Sequence, residues 1–147
     1  LACPHCAGPR AAASSRTTAL ATMPQDADPA RHTLSIVDAF NAAFNRHDVD
    51  AVMALMTGDC VFDNTRPAPD GTRIEGQAAV RAAFEGFFAR SPHARFEAEE
   101  AFATADRCVV RWVYHWLREG TPGHVRGVDV FRIRDGLVAE KLSYVKG

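Results

Sequence analysis

The chain has 147 residues and a mass of 16.0 kDa, which suffices for one domain and leaves little room for a second. Apolar residues make up 47% of it, enough for a core, so a wholly disordered chain is excluded. Its 17 basic and 18 acidic residues give a net charge of -1, and no basic patch points to a nucleic-acid partner. No run approaches the ~20 apolar residues that span a bilayer, so we expect no membrane partner either.

The first 31 residues differ in composition from the rest of the chain. They hold four of the eight prolines and no aromatic residue. A segment without large apolar side chains cannot bury enough surface to offset its ordering entropy. We therefore expect residues 1–31 to be a disordered leader and residues 32–147 to form the domain. The leader lacks the continuous apolar run of a secretory signal.

Two cysteines of the leader, Cys3 and Cys6, have the spacing of half a zinc site or of a redox pair. A structural zinc takes four ligands, and no second such pair follows. A thioredoxin-like pair opens a helix in a βαβ unit, whereas this one sits at a chain end. We interpret the motif as incidental and expect no metal and no other cofactor. Cys60 and Cys108 lie in apolar strand-like runs, which predicts small core residues and a cytoplasmic protein.

Apolar periodicity predicts three helices in the first part of the domain. The first helix carries a stripe at three- and four-residue steps, formed by Leu34, Val37, Phe40 and Phe44. Thr33 is its expected N-cap, and Asp48 is the expected N-cap of a second, shorter helix. A strand over 61–63 and a proline-containing loop over 64–73 precede the third helix, predicted over 77–89.

The remaining third of the chain has the pattern of β-structure. Strands are predicted over 95–104, 108–118, 125–134 and 137–146, and Asp135-Gly136 is the strongest hairpin signal. Helices first and an antiparallel meander last is an α+β arrangement. We expect a long, curved antiparallel sheet wrapped around three helices, a cone-shaped α+β barrel with an internal cavity.

Four motifs carry a resemblance to a known family. They are Ala39-Phe40-Asn41, the segment 46–51 (RHDVDA), the segment 59–63 (DCVFD) and the segment 126–136 (RGVDVFRIRDG). Together they resemble the SnoaL-like polyketide cyclases and ketosteroid isomerases of the nuclear transport factor 2-like superfamily, over residues 33–147. The resemblance implies the fold. It leaves the reaction open, because the superfamily includes isomerases, cyclases, epoxide hydrolases, dehydratases and non-catalytic binders.

The resemblance also implies roles for individual residues. Ketosteroid isomerases have a general-base Asp at the end of the first strand, which matches Asp63, and a protonated Asp in the oxyanion hole, which matches Asp129. The isomerases also have a tyrosine in the oxyanion hole, and the matching position in this chain is a phenylalanine, Phe40. Limonene epoxide hydrolases and SnoaL cyclases use an Asp in the last strand, where this chain has Ser143. The chain therefore has both Asp positions of the isomerases, without their tyrosine and without the carboxylate of the other two groups.

Asp129 is also unusual on physical grounds. Strand alternation puts it on one face with Gly127, Phe131 and Ile133. A carboxylate on such an apolar face must find a partner or take up a proton, because desolvation disfavours its charged form. A neutral Asp129 can donate a hydrogen bond to a carbonyl oxygen that gains charge. The alternative is a structural pairing with Lys141 or with an arginine.

Asp63 and its neighbour stand at the expected mouth of the cavity, beside the proline-containing loop. Asp63 either acts there as a base or caps the loop through its backbone amides. A bulge would bring Asn64 inward in its place.

The strand over 108–118 is apolar on both faces. Comparison with the isomerases puts Trp112, Tyr114 and Trp116 toward the cavity, where the Tyr114 hydroxyl replaces the donor lost at Phe40. Ordinary core packing is the alternative for each ring, and in the opposite register His115 becomes a pocket acid or base. The predicted substrate-contacting residues are Phe40, Asn64, Phe84, Trp112, Trp116, Phe131, Lys141 and Ser143.

These residues favour an enzyme with a hydrophobic pocket that transfers protons on a small apolar carbonyl compound without a cofactor. Its expected catalytic residues are Asp63, Asp129 and Tyr114. A non-catalytic binder of a small apolar ligand and a subunit that works only through protein contacts are the alternatives. We also expect a homodimer through the outer face of the sheet, because this face would otherwise expose an apolar patch. The patch consists of Val109, Val113, Leu117, Val128 and Val130.

Overall fold

The computed structural model of the protein describes residues 28–147. Cys3, Cys6 and most of the expected leader lie outside the described residues. Those described form three helices, α1 (Pro29–Asn45), α2 (Val49–Ala54) and α3 (Gln77–Arg90). They also form six strands, β1 (Met56–Asp63), β2 (Arg73–Glu75), β3 (Arg95–Thr104), β4 (Arg107–Arg118), β5 (Thr121–Arg134) and β6 (Leu137–Val145). No helix within this range is long and apolar enough to cross a membrane.

The first helix begins earlier than predicted, so the N-cap assignment to Thr33 is wrong. The Asp28 carboxylate accepts a hydrogen bond from the Ala30 N–H at 3.1 Å. Pro29 follows in the first turn, where a missing N–H costs nothing. Thr33 lies inside the helix, and its hydroxyl donates to the carbonyl of Ala105 at 2.6 Å. Residues 29–31 therefore belong to α1.

The second and third helices agree with the sequence pattern. Asp48 caps α2 by accepting from the Ala51 N–H at 3.0 Å. At the start of α3, the Gln77 amide donates at 3.0–3.1 Å to the carbonyls of Met53, Met56 and Thr57. This contact ties α3 to the junction of α2 and β1.

The six strands form one sheet in the order β2-β1-β6-β5-β4-β3. Strands β3 to β6 are the predicted antiparallel meander. Strand β1, however, pairs in parallel with β6, so the sheet is mixed. The expected barrel is also not closed, because β2 and β3 are free edges. The α+β class is as predicted, with an open sheet.

Three phenylalanines form the centre of the core between the helices and the sheet. Phe40, Phe84 and Phe131 are at most 1% exposed. The ring of Phe40 meets that of Phe131 edge to face at 5.6 Å and that of Phe84 at 6.4 Å. Close packing of this kind leaves no room for a ligand. The unfilled space between the helices and the sheet lies on the side of these rings that faces β3.

Candidate functional site

A cavity of about 110 Å³ lies between α1 and the inner face of the meander. Its wall consists of Asn41, Ala42, Phe44, Asn45, Phe96, Ala98, Val110, Trp112, Asp129 and Lys141. Ala42, Asn45 and Ala98 are exposed, so the cavity opens between α1 and β3. We expected the mouth beside the proline-containing loop over 64–73. For this cavity the expectation is wrong, since none of the loop residues belongs to the wall.

Asp129, Lys141 and Ser143 form a hydrogen-bonded network on the inner face of β5 and β6. Asp129 and Lys141 are only 5% and 7% exposed. The Lys141 Nζ lies 2.8 Å from Asp129 Oδ2. Ser143 stands directly opposite Asp129 in the β5–β6 register and donates to Asp129 Oδ1 at 2.7 Å. The Lys141 Nζ also donates to the Ser143 Oγ at 2.7 Å, which closes the network.

This geometry is that of an ion pair, the second of the two alternatives for Asp129. Both oxygens of Asp129 accept hydrogen bonds, so the carboxylate is an acceptor in the structure rather than a donor. An ammonium has three N–H donors, of which two are used here. The pair therefore presents a carboxylate and a cationic donor side by side. In an apolar wall such groups interact strongly with a ligand dipole.

The rest of the wall is mainly apolar and includes three aromatic rings. Phe96 of β3 meets Trp112 edge to face at 5.2 Å and Phe44 at 5.7 Å. Trp112 is 5% exposed, and its Nε1–H finds no acceptor among residues 28–147. Tyr114 stacks on Phe96 at 4.7 Å, with Trp116 beyond it at 5.4 Å, so both rings share the face of Trp112 on β4 but lie outside the wall. Phe44, Phe96 and Trp112 form an apolar surface of the cavity. Its polar groups are Asp129 and Lys141 on the sheet and Asn41 and Asn45 on α1.

The register of β4 settles which side of this strand faces the cavity. Trp112 points inward as predicted. His115 is exposed on the outer face, where its Nε2 lies 3.6 Å from Glu97 and its ring faces that of His124. The alternative in which His115 is a pocket acid or base is therefore wrong.

The helix side of the cavity is held by Asn45. Its amide donates to the Phe96 carbonyl at 2.8 Å and accepts from the Phe96 N–H at 2.9 Å. The side chain thus pairs with the free edge of β3 as a neighbouring strand would. Asn41 lies one turn earlier and also contributes to the wall. The wall residues not predicted as site residues are Asn41, Ala42, Phe44, Asn45, Phe96, Ala98 and Val110. The i, i+4 spacing beside the apolar stripe is a sequence signal for the two asparagines alone.

The structure brings together only some of the predicted site residues. Trp112, Asp129 and Lys141 line the cavity, and Ser143 supports them. Asp63 is half-buried at the end of β1, opposite Arg73 in the β1–β2 register, and is not part of the wall. Asn64 accepts a hydrogen bond from the Thr65 N–H at 2.8 Å, within the loop. Phe40, Phe84 and Phe131 are core, as described above.

The site contains no arrangement that suits a metal ion. Within the part of the chain that the structure describes, no group of three or more His, Cys, Asp or Glu side chains is placed to hold one. The Lys141 ammonium is the cation of this cavity, and Asp129 is already its partner.

Comparisons with known proteins agree with this architecture. A sequence model described as SnoaL-like domain matches residues 37–141. An NTF2-like protein of unknown function from Mesorhizobium loti is 38% identical over 82% of this chain and 95% of its own, with a TM-score of 0.71. RV0760c from Mycobacterium tuberculosis is 28% identical over 77% of this chain and 90% of its own, with a TM-score of 0.67. The comparison with curated proteins gives no match.

Two further structures contain bound small molecules. RV0760c in complex with estradiol-17beta-hemisuccinate is 27% identical over 77% of this chain and 92% of its own, with a TM-score of 0.66. TerC co-crystallized with polyporic acid is 18% identical over 78% of this chain and 92% of its own, with a TM-score of 0.68. At that identity, TerC shows a shared fold alone.

Proposed function

Because this chain belongs to the SnoaL-like family, we propose that it acts on a small carbonyl compound by acid/base proton transfer. The observation that carries the proposal is the buried Asp129–Lys141 pair in the wall of a mainly apolar cavity. A carboxylate and a donor at one end of an apolar cavity are the two groups that enolisation needs.

In the proposed reaction Asp129 is the base and Lys141 is the donor. The Asp129 carboxylate takes a proton from the carbon next to the carbonyl, and the C–H electron pair forms a carbon–carbon double bond. Negative charge develops on the carbonyl oxygen, which accepts a hydrogen bond from the remaining N–H of Lys141. Asp129 then returns the proton to carbon, at the same position or at a conjugated one. Ser143 holds Asp129 in place throughout.

The test is exchange of the protons next to the carbonyl of cyclohex-2-enone in D₂O, followed by NMR. We expect Asp129→Asn to slow exchange by about 100-fold or more, because an amide cannot take the proton. Glu97→Gln is the matched control, since Glu97 lies on the outer face. Exchange by Asp129→Asn at the wild-type rate would show that Asp129 is not the base.

The same assay decides the roles proposed for Asp63 and Tyr114. If Asp63 is the base, as the resemblance implies, then Asp63→Asn loses exchange and Asp129→Asn retains it. The position of Asp63 outside the cavity wall favours the opposite result. Tyr114 stacks on Phe96 and is not part of the cavity wall, so we expect Tyr114→Phe to change the rate less than Asp129→Asn does.

A non-catalytic binding protein is the second candidate. The closed network of Asp129, Lys141 and Ser143 favours it, because the two charges already compensate each other without a ligand. Binding of cyclohex-2-enone without proton exchange in the wild type would support this candidate and contradict the enzyme.

We also propose a homodimer through the outer face of the sheet. The registers place Phe102, Val109, Val130 and Leu142 side by side across β3 to β6. Phe102 and the nearby Tyr144 are 53% and 57% exposed. Val113 was expected in this patch but is only 5% exposed, so it is not part of it. We expect a dimer by sedimentation at tens of micromolar, and a monomer there would contradict the proposal.

A cytoplasmic location is a further proposal. Cys60 and Cys108 are free, buried thiols. Disulfides form and persist in oxidising compartments and are rare in cytosolic proteins. Cell fractionation of the native source would test the location.

A further inference from the structure

We infer that the site takes a ligand with a single ring and one carbonyl oxygen, and that it excludes fused polycyclic ketones. The inference rests on the proposed function, because it names the substrate class of the same cavity. Its test is a binding measurement, whereas the proposed function is tested by proton exchange. Binding of the enone without exchange would contradict the proposed function alone, and exchange with tighter binding of the steroid would contradict the inference alone.

The size of the cavity is the first argument. Its volume is about 110 Å³, and an apolar cavity of roughly 150 Å³ accepts benzene in another protein. A single six-membered ring therefore fits if one edge lies in the open mouth. The inner end cannot deepen, because Phe40 and Phe131 are fully buried behind it and in mutual contact. A compound of four fused rings would leave most of its apolar surface in water.

The distribution of polar groups is the second argument. Phe44, Phe96 and Trp112 form the wall against which a ring would lie. The Lys141 ammonium stands at one end of the cavity beside Asp129. A cationic donor at one end, next to three apolar rings, matches a ring that carries a carbonyl oxygen.

The mouth supplies the third argument. Ala42 of α1 and Ala98 of β3 are small and exposed on either side of the opening. A larger side chain at either position would close the space that the ring must pass. The Asn45–Phe96 hydrogen bonds prevent α1 and β3 from separating to admit a wider molecule.

The experiment compares three ligands by ¹H–¹⁵N NMR of the full chain at millimolar ligand where solubility allows. Cyclohex-2-enone and androst-4-ene-3,17-dione share the cyclic enone and differ in ring number, and cyclohexene lacks the oxygen. The chain has two tryptophans, and only Trp112 lines the cavity. The indole N–H signal of Trp112 therefore reports binding, and that of Trp116 is an internal reference. A Trp116→Phe variant assigns the two signals.

We expect cyclohex-2-enone to shift the Trp112 signal saturably and cyclohexene to bind about tenfold more weakly or worse. The steroid should neither shift the Trp112 signal nor compete with cyclohex-2-enone for binding. Ala98→Leu should abolish the shift, whereas Ala101→Leu, the same change at an exposed site of β3 outside the wall, should preserve it. Tighter binding of the steroid than of cyclohex-2-enone would overturn the inference. Failure of cyclohex-2-enone to bind, or unchanged binding by a folded Ala98→Leu, would overturn it too.

Discussion

Gly127 of β5 lies directly opposite Trp112 of β4, and the indole ring covers it. A Cβ atom at position 127 would lie 2.3 Å from the Cη2 and Cζ2 atoms of Trp112 and 2.3 Å from the carbonyl oxygen of Tyr144. Only glycine allows the ring to lie this close to the sheet. The absence of one side chain on β5 thus determines where the main aromatic ring of the cavity wall sits.

Gly127→Ala should therefore move Trp112 and destabilise the protein. The new methyl group meets both the ring and a backbone oxygen, so we expect a loss of about 1–3 kcal/mol in the free energy of unfolding. Urea denaturation measures the loss, and the indole signal of Trp112 should shift in the same variant. Gly58→Ala is the control, because nothing lies within 4 Å of a Cβ there. Equal stability of the two variants would contradict the prediction.

Because Asp129 and Lys141 form a buried ion pair, the effects of removing each side chain on the free energy of unfolding should not be additive. Lys141→Met leaves the Asp129 carboxylate buried without its cation, and we expect a loss of about 3–5 kcal/mol in the free energy of unfolding. The double variant Asp129→Leu/Lys141→Met removes both charges and should be more stable than Lys141→Met alone. Urea denaturation of the single and double variants tests this. Additive losses would mean that the two groups do not interact.

Asn45 should contribute stability through its two hydrogen bonds to the Phe96 backbone. Asn45→Ala removes both, with an expected loss of about 1–3 kcal/mol. Asn45→Asp keeps the acceptor for the Phe96 N–H but places a carboxylate oxygen against the Phe96 carbonyl oxygen, so it should destabilise the protein as well. Hydrogen exchange at the Phe96 amide measures the local effect. Unchanged protection in Asn45→Ala would show that the contact does not hold β3.

Because the Cys108 thiol is buried, the free energy of unfolding should fall at high pH. Burial raises the pKa of its thiol from 9.0 to about 11. The folded state therefore binds this proton more tightly than the unfolded state, and the stabilisation is complete below pH 9 and is lost as the pH rises toward 11. The urea midpoint of the wild type should fall over this range more steeply than that of Cys108→Ala. Parallel curves for the two proteins would contradict the prediction.

Much of the architecture follows from the sequence alone. The spacing of Val80 and Phe84 predicts α3, and the alternation in β3 to β6 with Asp135-Gly136 predicts the meander, because both signals are local. Asp129 stands out for the same reason: a carboxylate in an apolar strand must be compensated wherever the strand packs. The sequence therefore determined the α+β class, the inner face of β5 and the residue at the centre of the site.

Other features required the tertiary structure, because they depend on which distant segments meet. The parallel pairing of β1 with β6 leaves β2 and β3 as edges and makes the sheet open. Lys141 compensates Asp129 only because the β5–β6 register places Lys141 opposite Phe131, diagonally across from Asp129. The cavity opens between α1 and β3 rather than beside the proline-containing loop, since Phe40, Phe84 and Phe131 fill the other end. Residue spacing determines which face is apolar, whereas the packing of one face on another decides where space remains.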